Sequence, residues 1–124
     1  MNWSATGATA LALAVILGAF GAHGLKDRLD AYSMGVYEKA VFYHFIHALG
    51  LLIVSLMPKG GYLLQNQAAW VCGFLTAGIV LFSGSLYVLA VTRISILGAI
   101  TPFGGLSFIA AWLMLAWVLL RNQP

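Results

Sequence analysis

Residues 68–91 read AAWVCGFLTAGIVLFSGSLYVLAV, a run from Ala68 to Val91 with no charged side chain. An α-helix rises ~1.5 Å per residue and the hydrocarbon core of a bilayer is about 30 Å thick, so about 20 apolar residues suffice to cross it. This run is long enough, and the polar Gln65-Asn66-Gln67 before it and Thr92-Arg93 after it mark its ends. Working outward, Pro58, Gly60 and Gly61 close the preceding apolar stretch, whose purely apolar part begins at Ala48. Pro and Gly pairs are turn formers because one fixes φ and the other frees it. Trp3–Leu25 and Ile94–Leu120 are two more runs of the same kind.

Composition supports the same reading. Hydrophobic residues are 62% of the chain and charged residues 7%, whereas a soluble domain carries about a quarter charged residues. Too little polar surface exists to face water, so membrane lipids are the expected surroundings. The net charge of +3 includes no Lys/Arg run, which removes nucleic acid as a partner. The lone cysteine, Cys72, cannot form an intrachain disulfide and reads as a small core residue. No Lys or Arg precedes the first apolar run, so it reads as a retained helix and not as a secretory signal.

The expected fold class is therefore an all-α membrane protein: one domain over 1–124, with four transmembrane helices in a compact bundle near 3–25, 34–57, 68–91 and 94–120. Asp30 or Ser33 suits the N-cap of the second helix, since either side chain accepts from free first-turn amides. In the last run, Thr101-Pro102 followed by Gly104-Gly105 predicts a break. Proline there either starts a new helix or kinks a long one. Gly18 and Ala22 form a small-xxx-small pair suited to close helix contact. Ser83, Gly84, Ser85 and Tyr87 form a small, polar patch on the third helix. Four spans place Lys26, Arg28, Lys39 and Arg93 on one side and Lys59 and Arg121 on the other. The positive-inside rule then puts both termini outside.

Ionisable groups gather in one place. His23, His44 and His47, all three acidic residues (Asp27, Asp30 and Glu38), and Lys26, Arg28 and Lys39 lie between residues 23 and 47. Ionisable groups at membrane depth are functional candidates because isolated charge is costly there. His44 and His47, at i and i+3, share a helical face. With His23 they offer a possible three-histidine metal site, and with Glu38 a possible polar network. No cofactor or metal is predicted, since the chain lacks a cysteine pair and any HExxH motif. His47 is expected inside the bundle or at a protomer interface, with Glu38 and His23 beside it, and His44 nearer the membrane surface.

Four blocks carry a resemblance. Gly18-Ala-Phe-Gly-Ala-His-Gly-Leu25, Tyr43-His-Phe-Ile-His-Ala-Leu49, Phe82-Ser-Gly-Ser-Leu-Tyr-Val-Leu-Ala90 and Leu97-Gly-Ala-Ile-Thr-Pro-Phe-Gly-Gly-Leu106 resemble, in order, the signature blocks of the YgdD-type family of small inner-membrane proteins. The resemblance covers nearly the whole chain. It implies a four-helix protein of the bacterial inner membrane, and it implies no activity, because none is established for that family.

The functional expectation is an integral membrane protein of unknown biochemical activity. It would act through helix-mediated assembly or lipid interaction, as a homo-oligomer and in one version as an oligomeric channel or carrier. The alternative is a membrane-embedded enzyme or a metal- or haem-binding protein using His23, Glu38, His44 and His47.

Overall fold

The computed structural model describes residues 1–123; Pro124, the last residue of the expected domain, lies outside the described residues. Every regular element among them is helical. In order they are α1 (Trp3–Phe20), α2 (Ala31–Leu56), α3 (Gln65–Gly78), α4 (Ser85–Thr92) and α5 (Thr101–Arg121). Short π- or 3-10-helical segments extend them into four stretches long and apolar enough to cross a membrane: Trp3–Leu25, Ala31–Gly60, Gln65–Thr92 and Ser95–Arg121.

Local chemistry explains the ends. The Asn2 side chain accepts from the Ala5 amide at 3.0 Å, and Asp30 accepts from the Ser33 amide at 2.8 Å. Each satisfies one of the free donors of a first turn. Asp30, not Ser33, is thus the cap, and the second span starts at Ala31, three residues before the Met34 expected from sequence. The span ends in a 3-10 turn, Met57–Gly60, closed by Gly61 at φ 81°, a left-handed conformation that glycine adopts without penalty. In the fourth span a 3-10 turn, Ser95–Ala99, precedes α5, with Pro102 in its first turn. The chain therefore restarts a helix at Thr101-Pro102 instead of kinking a continuous one.

Two irregularities carry no proline. Gly21–Leu25 and Ile79–Gly84 are π-helical. A π segment widens the turn by one residue and shifts the faces of the helix on either side.

Packing follows chain order. The first span rests mainly on the second, the second on the third, and the third on the fourth. Leu51, Val54, Val71, Cys72, Leu75, Phe108 and Ala111 are the buried centre, drawn from the last three spans. Backbones come closest at Gly104, where an added Cβ would lie 2.3 Å from the Phe82 amide nitrogen, and at Gly7, where it would lie 2.9 Å from that of Leu52. In lipid, where apolar burial against tails drives little, such close contact is what holds helices together. The expected pair is placed differently: Gly18 meets the side chains of Val41 and Phe45, and Ala22 is exposed. Leu13, Ile16, Phe42, Ile53, Trp70, Val80 and Leu113 point outward, as a lipid-facing surface requires.

The ends are tied polarly. Arg93, after the third span, pairs with Asp30, before the second. At the opposite end Asn122 Nδ2 donates to the Tyr62 carbonyl at 3.1 Å and to Gln67 Oε1 at 2.9 Å. Both sides of the Arg93–Asp30 pair are well exposed, so it contributes at most about 1 kcal/mol.

Candidate functional site: buried histidines and a lateral groove

The second span carries its two histidines inward. The middle of Ala31–Gly60 falls between residues 45 and 46, so His44 sits within about 3 Å of mid-span along the axis. Only 4% of His44 and 6% of His47 is exposed. His44 is thus as buried against the other spans as His47, although only His47 was expected to face inward. It shares the His47 face, and that face is turned to the other spans along its length.

The two rings have different surroundings. His47 Nδ1 bonds the Tyr43 carbonyl one turn earlier at 2.8 Å, and its ring stacks on Phe108 with centroids 3.5 Å apart. Tyr43, Phe82 and Trp112 extend this aromatic cluster. His44 Nδ1 instead meets the Tyr87 hydroxyl of the third span at 2.8 Å. Tyr87 packs edge-on against Tyr37, centroids 5.2 Å apart, and Tyr37 donates to the Leu17 carbonyl of the first span at 2.5 Å. His44 and Tyr87 thus tie the second span to the third, and Tyr37 ties the second to the first, while the two tyrosines meet only ring against ring.

The remaining candidates are not brought to that place. His23, Asp27 and Glu38 are exposed, and Glu38 does not bond His47, whose partner is Tyr43. Among the described residues no three of His, Cys, Asp or Glu stand together as a metal site would require. The His23/His44/His47 set, with or without Glu38, is therefore not assembled. The small polar residues serve as ties between spans. Ser83 Oγ donates to the Ala40 carbonyl at 2.9 Å, and Ser85 Oγ meets Thr101 Oγ1 at 2.6 Å. Pro102 and Gly105 lie beside these ties; a Cβ added at Gly105 would be in ordinary contact with Phe82, and one added at Gly84 would meet the Ile79 carbonyl oxygen at 3.9 Å.

Sequence reading missed the space in front of His44. Because the first span leans on the second, a groove of ≈ 430 Å³ stays open between the first and third spans. Thr6, Thr9 and Ala10 form one wall, Thr76 and Val80 the other, and His44 lies at its floor. Thr9 and Val80 are exposed, so the groove opens sideways, toward what would be lipid. Its volume is within the range of small-molecule sites, about 300–1,000 Å³. The sequence signal was faint: Thr6 and Thr9 on an otherwise apolar helix, and Thr76 one helix away.

Comparisons with known proteins agree with this architecture. The chain is 52% identical over 109 residues to the UPF0382 membrane protein SH2409 of Staphylococcus haemolyticus, covering 88% of this chain and 87% of that one. It is 50% identical over 111 residues to the UPF0382 membrane protein YwdK of Bacillus subtilis, covering 88% of each. No solved structure matches. These relatives are membrane proteins of Gram-positive bacteria, and the four apolar spans fit the same place, a bacterial cell membrane. The profile of the family described as "Protein of unknown function (DUF423)" matches residues 17–105, and the chain belongs to that family of integral membrane proteins whose biochemical activity is unknown.

Proposed function

We propose that the protein binds a lipid-soluble molecule from the side, in the groove between its first and third spans. The supporting observation is the buried His44 at the floor of a laterally open groove whose only other polar side chains among the described residues are the hydroxyls of Thr6, Thr9 and Thr76. Imidazole at mid-span is costly unless its polar atoms are used. A groove that opens to hydrocarbon admits occupants already dissolved there. This reading refines the expectation of lipid interaction or a carrier. It leaves aside the membrane-embedded enzyme and the metal or haem site, whose residues stand apart. The narrower likeness to YgdD-type inner-membrane proteins rests on the four motif blocks and adds no activity to it.

Thr9→Trp fills the groove from an exposed position without touching the buried centre. The wild-type protein, purified in mild detergent, should retain an apolar molecule at near-stoichiometric amount by mass spectrometry of the organic extract. Thr9→Trp should lose it with helix content unchanged. Equal retention by both proteins would sink the reading.

A further inference from the structure

The polar chemistry at the groove floor narrows the occupant, on the premise that the groove binds a ligand at all. We propose that it takes the head of a lipid-soluble quinone, with a ring carbonyl accepting a hydrogen bond from His44 Nε2–H.

The tautomer comes first. Among the described residues the Tyr87 hydroxyl has one hydrogen-bond partner, His44 Nδ1. Were Nδ1 the donor, the phenolic hydrogen would be left without an acceptor in an apolar setting, which is unfavourable. Tyr87 therefore donates, Nδ1 accepts, and the ring proton sits on Nε2. With Nδ1 taken by Tyr87, Nε2 is the ring nitrogen left free toward the groove that His44 lines. The groove thus presents one donor at its floor and asks for one acceptor.

Depth selects the kind of acceptor. His44 lies within two residues of the middle of its span. A phosphate or carboxylate carried there would lose its hydration with no cation among the described residues beside the groove to offset the loss. The occupant is therefore neutral. Ester carbonyls of glycerolipids are held near the interface by their headgroups, whereas a quinone on an apolar tail is neutral and dissolves throughout the hydrocarbon. A flat ring also suits a gap whose first-span wall carries the small residues Ala5, Thr6, Thr9 and Ala10, facing Thr76, Ile79 and Val80 of the third span.

The test uses the whole chain in detergent micelles, with ¹⁵N-labelled histidine rings, titrated with decylubiquinone, dioctanoylglycerol and n-decylbenzene. Thr9→Trp serves as the control for partition into the micelle. Decylubiquinone should produce a saturable shift of the His44 Nε2–H signal in the wild-type protein and none in Thr9→Trp. His44→Phe should weaken quinone binding about fivefold, the weight of one net hydrogen bond of about 1 kcal/mol. Tyr87→Phe, which keeps the imidazole but no longer fixes its tautomer, should weaken it in the same direction. Should His44→Phe fail to fold, Tyr87→Phe and the ring signal still decide. An equal shift with dioctanoylglycerol would overturn the quinone in favour of an ester. Saturable binding of n-decylbenzene at quinone strength, with no shift, would overturn the head chemistry while the groove reading stood. Absence of saturable binding by all three would overturn both.

Discussion

His44 and His47 differ in what their loss would strand. His47 bonds a carbonyl that also belongs to its own helix, and its ring is held by the stack on Phe108. Replacing it with Phe keeps the stack and strands no partner. His44→Phe leaves the Tyr87 hydroxyl without an acceptor, at about 1–3 kcal/mol. Thermal unfolding in detergent should show His44→Phe to be the more destabilised of the two. Adding Tyr87→Phe to it should recover most of the loss, because removing both partners of a bond leaves nothing unsatisfied. A double variant no better than the single one would show that the pair is not the relevant interaction. At this scale the sequence was partly legible. His47 reads as buried because its neighbours are apolar, and it is. His44 was expected to face outward because it comes before His47 along the helix, nearer Glu38 and Lys39. Along a helix, however, direction and not proximity decides the environment, and His44 shares the inward face of Tyr37, Ala40 and His47 while Glu38 and Lys39 face outward.

At the scale of the elements, the third and fourth spans depend on one contact. Gly104 lets α5 start against the backbone at Phe82, inside the π segment of the third span, and the Ser85–Thr101 bond lies beside it. Gly104→Ala must push the spans apart or break that bond, and overpacking of this kind costs about 1–3 kcal/mol. Gly105→Ala, whose added Cβ would meet Phe82 at 3.8 Å, and Gly98→Ala, with no atom within 4 Å, should unfold near the wild-type midpoint. Similar losses at all three positions would mean that helix stiffness, not close approach, is what these glycines control. The spans and the restart at Pro102 were legible, because length, charge and proline each act on the chain locally. The π segments were not. Widening one turn changes which residues face inward without leaving any mark on hydropathy, and in lipid every face of these helices is apolar anyway.

For the whole molecule, we propose the exposed side of the first two spans as the place for a second copy, since Gly18, Ala22 and Glu38 line a shallow recess there and Lys39 stands exposed beside it. Glu38 lies about 11 Å from the middle of its span along the axis, where a reciprocal Glu38–Lys39 pairing between copies would relieve the cost of charge. We expect the purified protein to run as an oligomer in light scattering, and Ala22→Phe to shift it toward monomer. A monomeric wild-type protein would remove this surface from consideration. Which span leans on which was not legible in the sequence, because chain order alone does not say that the first span would miss the third.

That each span finds its main support in its neighbour along the chain has a consequence for biogenesis. As the nascent protein leaves the ribosome, the second span can pair with the first at once, and each later one docks on a partner already in the bilayer. Contacts local in sequence form without a long search. The wall that leans on a single neighbour is also the wall that emerges first, so the opening beside His44 is built into the order of synthesis: nothing made later closes it.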